Sequence, residues 1–125
     1  MTLFGKIPFN SRLISVEIET EGEKIKSIKE IEDGNYTLIL PGFIDVHTHG
    51  GGGMDVNHIE SMEDVERLSF FYASHGVTSV QLSLVTDTEE SMVKCLKVLG
   101  EAREKKLKGA QLVGIHLEGP FLSDE

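Results

Sequence analysis

The sequence predicts an α/β protein in which a short all-β segment leads into a parallel sheet with helical crossovers. Three observations predict it. Strand-like alternation runs to about residue 40. Beyond it, three apolar strand patterns alternate with two amphipathic helix patterns. Polar side chains gather at the C-terminal ends of the apolar strands, which suits either a doubly wound sheet or the opening third of a (β/α)8 barrel.

Residues 12–19, "RLISVEIE", alternate apolar and polar side chains, and "KIKSIKEI" at 24–31 is strand-like again. The "TEGE" between them, with Gly22 free to take positive φ, makes a β-hairpin. "DGNYTLIL" reads as a turn and a further strand ending at Pro41-Gly42. Residues 1–40 therefore belong to a small strand-rich domain and 41–125 to the α/β part.

"FIDVHTH" opens the second part as a largely apolar strand, the kind covered on both faces in a parallel sheet. Ser61 caps a helix, Asp64 completes a capping box, and Gly76 ends it. Met62, Val65, Leu68, Phe71 and Tyr72 form the apolar side of that helix. "VTSVQLSL" is a second strand. Asp87 or Thr88 caps a second helix with Met92, Val93, Leu96, Leu99 and Ala102 on one stripe, closed by Gly109. "AQLVGIHLEGPF" is a third strand and a turn. The β-α-β-α-β order favours parallel pairing. No further helix pattern follows the third strand, so the chain reads as the N-terminal portion of a longer protein.

The 125 residues carry 39% hydrophobic and 26% charged side chains, an ordinary globular balance. A net charge of −9 argues against nucleic acid or an anionic membrane as partner. One cysteine, Cys95, excludes an internal disulfide and fits a reducing, cytoplasmic setting. No segment has the apolar length of a membrane span or of a secretory leader.

The chemistry concentrates in "LPGFIDVHTHGGGGMD", residues 40–55. His47 and His49 are two apart, so a strand places both imidazoles on one face, with Asp45, while Val46 and Thr48 point the other way. Two neutral imidazoles at a strand end can chelate a divalent metal ion; hydrogen-bonded surface histidines are the plainer alternative. Glu118 ends the third strand, sharing a face with His116, where an unpaired carboxylate is unfavourable unless hydrated or metal-bound. Gly50 to Gly53 remove side chains beside these groups, as a site loop or a flexible linker requires. His58 follows the glycines and could approach the site. His75 fits the dipole at a helix C-terminus, and Cys95 fits a small core position.

Two motifs carry a family resemblance. "PGFIDVHTHG" resembles the first-strand signature of the amidohydrolase superfamily, metal-dependent hydrolases on a distorted (β/α)8 barrel, many with a small β-sandwich built partly from the N-terminal segment. "HLEGPF", residues 116–121, is similar to the third-strand motif of N-acetylglucosamine-6-phosphate deacetylases. The resemblance implies that Glu118 is a metal ligand and that His47 and His49 match a first-strand pair found in some members, with one or two ions of Zn, Fe, Mn or Co per site. It implies amide hydrolysis of N-acetylglucosamine 6-phosphate to acetate and glucosamine 6-phosphate by the full-length protein, commonly a dimer. The general-base aspartate and two further histidines would lie beyond Glu125, so this chain alone is expected to be inactive. The proline-threonine step of the family is absent from "LSLVTDT", which bears on the shape of that loop. Dihydroorotase-like or deaminase-like hydrolases, a phosphoesterase using D-x-H-x-H (Asp45, His47, His49), and a non-catalytic truncated module are the competing readings.

Overall fold

A computed structural model describes residues 1–123 and divides the chain into two compact units, Met1–Pro41 and Gly42–Glu125.

The first unit is one antiparallel sheet of β1 (Thr2–Phe9), β2 (Arg12–Glu21) and β3 (Lys24–Glu30), in the order β1-β2-β3. The β2–β3 hairpin matches the alternation in the sequence. Gly22, at φ +60°, makes its turn. Strand β1 is an addition, since Gly5 and Pro8 interrupt its pattern. Gly5 leaves room for the Ile39 side chain that lies over it, which a Cβ would meet. The strand expected over 33–40 shrinks to a single parallel bridge between Lys6 and Leu38. Asp33-Gly34-Asn35 is turn-forming, and Pro41 follows too soon for a longer ladder. Asp33 accepts hydrogen bonds from Lys6 and Ser15, which hold its carboxyl below the usual range.

The second unit opens with β4 (Phe43–Thr48), the two-residue strands β5 (Gly50–Gly51) and β6 (Met54–Asp55), and a 3-10 turn at Val56–His58. It continues with α1 (Met62–Ser74), β7 (Val77–Val85), α2 (Glu89–Arg103) and β8 (Gln111–Glu118). The main sheet is parallel in the order β4-β7-β8. Val80, Leu82 and Leu84 of β7 pack against Val65, Leu68 and Tyr72 of α1 and Met92, Cys95, Leu99 and Ala102 of α2 in one core. The stripe read on α2 holds at Met92, Leu96, Leu99 and Ala102 but loses Val93, which is 42% exposed, and gains the buried Cys95.

Ser61 caps α1 in a full capping box with Asp64, whose carboxyl is held below its ordinary range chiefly by the Ser61 hydroxyl. Thr88 caps α2, accepting from the Ser91 amide, and Asp87 supports it by accepting from Thr88 N and Ser91 Oγ. The helix ends at Arg103, short of Gly109. That glycine instead permits a close backbone approach. A Cβ there would collide with the Ser69 carbonyl, where Gly109 N and Ala110 N bond to Ser69.

Candidate metal centre

His47 closes β4 and His49 lies just past it, while His116 and Glu118 close β8. The two strands flank β7, so their Cα traces stand about 9.6 Å apart, two strand spacings. A small side chain in between lets long ones meet. Leu82 and Leu84 face the helices, so Ser83 points to the opposite face, and it pairs in register with His116.

Above Ser83 the side chains converge. Nε2 of His47 lies 3.2 Å from Nε2 of His49. Oε2 of Glu118 lies 3.3 Å from the first and 3.2 Å from the second. Nδ1 of His49 stands 3.1 Å from the Ser83 carbonyl, which can only accept. His49 Nδ1 therefore carries the hydrogen, the tautomer whose Nε2 lone pair can face the cluster as a metal donor. Electron-rich atoms so close together need a cation among them, a proton or a metal ion. Donor atoms of a tetrahedral site with bonds of about 2.0–2.1 Å stand about 3.3–3.4 Å apart. The three atoms have the spacing of one face of such a tetrahedron, and two imidazoles with one carboxylate suit a divalent ion.

His116 is the neighbour that the sequence reading left without a role. Its ring centroid lies 4.8 Å from that of His47. Its Nδ1 is buried without a hydrogen-bond partner, as is Ser83 Oγ. His47, His116 and Glu118 form an alternative donor group whose atoms lie within 4.8 Å of one another. The His47–His49–Glu118 set is tighter and matches the tetrahedral edge, so it is the better-shaped group. The signal for His116 was the spacing it shares with the first pair, two residues before Glu118.

Strict alternation fails between Asp45 and Thr48. Asp45 pairs with Val80 and Thr48 with Leu82, both helix-facing, and the ladder slips between them. Asp45 therefore does not share the histidine face as expected; its carboxylate accepts from the His47 amide at 3.2 Å. The glycines are also more than a flexible linker. Gly50, at φ +134°, and Gly51 pair with Asp55 and Met54, and a Cβ on Gly51 or Gly52 would overlap the Phe71 ring. Other candidates lie apart from the cluster. His58 pairs with Asp55 at 3.5 Å, and His75 Nδ1 donates to the Phe71 carbonyl at 2.8 Å at the end of α1. Cys95 is in the core, its thiol bonded to the Val56 carbonyl and pushed up to about 11 by burial.

No family model matches the sequence. The chain is 36% identical over 122 residues to the N-acetylglucosamine-6-phosphate deacetylase of Bacillus subtilis (strain 168), covering 95% of this chain and 30% of that protein. It is 33% identical over 85 residues to an N-acetylgalactosamine-6-phosphate deacetylase of Shewanella sp. (strain ANA-3), covering 68% of this chain and 21% of that one. Among solved structures, the N-acetylglucosamine-6-phosphate deacetylase of Thermotoga maritima superposes with a TM-score of 0.78 at 29% identity, over 99% of this chain and 33% of that chain. By sequence and by fold, the chain is related to the N-acetylglucosamine-6-phosphate deacetylases, over about a third of their length.

Proposed function

We propose that this chain is the metal-ligating opening part of an amidohydrolase that removes acetate from N-acetylglucosamine 6-phosphate, leaving glucosamine 6-phosphate. Strands β4, β7 and β8 are the first three strands of a distorted (β/α)8 barrel, and β1–β3 form one layer of a small β-sandwich. One observation carries the reading: His47 Nε2, His49 Nε2 and Glu118 Oε2 meet at 3.2–3.3 Å on the strand ends. The relatives' names supply the substrate class.

His47, His49 and Glu118 would hold a divalent ion, Zn, Fe, Mn or Co, and the donor set allows one or two. Such an ion supplies Lewis acidity, acidifying water and polarising the acetamido carbonyl. The chain's own residues prepare the place. The Ser83 carbonyl holds the His49 tautomer, and Glu118 offsets positive charge with its carboxylate. In the reaction, water adds to the acyl carbon, the C–N bond breaks, and the amine nitrogen leaves with a proton. The aspartate that would move that proton is expected beyond Glu125. We take the protein to act in the cytoplasm as a homodimer on a small molecule, with no nucleic acid or membrane partner. The net charge of −9 disfavours nucleic acid and anionic membranes, and no helix among the described residues is long and apolar enough to cross a membrane.

The test uses the full-length protein, with metal content measured alongside acetate release. His47→Ala, His49→Ala and Glu118→Gln should each lower bound metal and abolish acetate release, while His116→Ala should keep the metal. Loss of metal from His116→Ala and not from His49→Ala would replace one ligand set by the other. Preference for the 4-epimer, N-acetylgalactosamine 6-phosphate, would move the substrate assignment to the second relative's chemistry. Release of phosphate without acetate would overturn the reading.

A further inference from the structure

Helix α1 reaches the histidine pair through one hydroxyl. Tyr72 Oη lies 2.6 Å from Thr48 Oγ1 and donates to the Gly50 carbonyl at 2.8 Å. Thr48 and Gly50 are the residues on either side of His49. Thr48 Oγ1 in turn lies 3.2 Å from the Gly50 carbonyl, so three polar atoms close around the backbone of one candidate ligand. Tyr72 is 6% exposed, and burial raises its phenol above the ordinary pKa against the opposing Thr48 hydrogen bond, so it remains a neutral donor. The adjacent Phe71 ring packs where side chains at Gly51 and Gly52 would be. Successive residues of α1 thus grip the loop at successive points.

A buried tyrosine hydroxyl ordinarily finds any acceptor in reach. Here its two partners flank a donor whose angle must be right to within about 10–20° for tight binding. We infer that Tyr72, through Thr48, is a positioning residue of the metal centre: it holds the backbone around His49 so that Nε2 faces Glu118. The inference rests on the metal reading given above and adds to it a residue that touches neither metal nor substrate. His49 is then oriented from two sides, by the Ser83 carbonyl on its ring and by Tyr72 on its backbone.

The test is the rate at which full-length protein loaded with Co2+ gives up its metal to excess chelator. The cobalt absorption spectrum provides a second readout. Tyr72→Phe removes only the hydroxyl and should speed release by about 10–100-fold, with a changed spectrum. Thr48→Val should behave similarly, and Thr48→Ser should restore slow release. Ser69→Ala is the control for mere destabilisation. Ser69 lies on the same helix, its hydroxyl buried and donating to the Ala110 carbonyl at 2.9 Å, away from the loop. It should lower the melting temperature and leave metal release unchanged. Wild-type release from Tyr72→Phe, or equally fast release from Ser69→Ala, would overturn the positioning role while the metal reading stands. Less than about a tenth of an equivalent of cobalt on wild-type protein would overturn both.

Discussion

The small sheet and the α/β unit use similar apolar side chains to opposite effect. In Met1–Pro41, Val16 and Ile18 are buried, but Phe4, Phe9, Leu13, Ile25, Ile28 and Leu40 are exposed. Among the described residues of the α/β unit, fifteen buried residues from both helices, β7, β8 and the linking segments form one cluster, while Phe43, Ile44 and Val46 of β4 stay exposed. A strand's alternation creates two faces, and a face is buried only where another layer covers it. Helices α1 and α2 supply that layer to β7 and β8. The candidate site hangs on the opposite face of this sheet, so packing fixes the end of β8 that carries Glu118, while the ladder to β7 holds the end of β4 that carries His47 and His49.

The largest expected contrast tests that core directly. Leu84 and Leu99 are fully buried in the cluster, and truncating either to alanine removes contacts that the surrounding helices cannot replace. Each substitution should lower the unfolding free energy of this unit by about 2–5 kcal/mol. Denaturant titration followed by circular dichroism measures it. A loss below about 1 kcal/mol would mean that the core is loosely packed and could not set the site's geometry.

A finer contrast compares two glycines with similar overlaps and different obstacles. A methyl at Gly109 meets the Ser69 carbonyl and the Phe70 amide, which are helix backbone. A methyl at Gly5 meets the tip of Ile39, a side chain that can rotate, with the Thr37 carbonyl next at 3.0 Å. Gly109→Ala should therefore cost about 1–3 kcal/mol and Gly5→Ala less. Equal losses in thermal melts would show that Ile39 is as immovable as a helix backbone.

Much of this architecture was legible in the sequence because its signals are local. The β2–β3 hairpin follows from alternation around Gly22, and the start of α1 from Ser61 and Asp64 three residues apart. That His47, His49 and Glu118 converge was readable from polar residues at the ends of apolar strands in a β-α-β-α-β order. What stayed hidden depends on a neighbour. The slip between Asp45 and Thr48 exists only relative to β7, and no residue type announces it. The partner of His49 is a backbone carbonyl, and the partners of Tyr72 are 24 and 22 residues away. Strand β1 was lost because Gly5, which leaves room for Ile39, weakens the pattern that identifies strands.

Cys95 provides a pH test confined to the α/β core. Burial raises its thiol from 9.0 to about 11, so the folded state keeps a proton that the unfolded chain gives up first. The associated stability is present below pH 9 and is lost as pH rises from 9 toward 11. The slope cannot exceed about 1.4 kcal/mol per pH unit for one group. Unfolding midpoints of wild type and Cys95→Ala, compared across that window, isolate the thiol from the titrating lysines and tyrosines. Parallel alkaline profiles for the two proteins would show that the thiol is not shielded.

The smallest effect belongs to the edge strand β3 of the small sheet. Ile28 is half exposed on β3, opposite Ile18 in the β2–β3 ladder. It has water to lose where Leu84 has packed neighbours, so truncation removes little buried area and leaves no cavity. Ile28→Ala should change the stability of this chain by no more than about 0.5 kcal/mol. The same denaturant titration, read beside Leu84→Ala, checks the ratio. A cost approaching that of Leu84→Ala would mean that something in solution covers this strand. The small sheet would then resemble the α/β unit in having a second layer, and the contrast between the two regions would disappear.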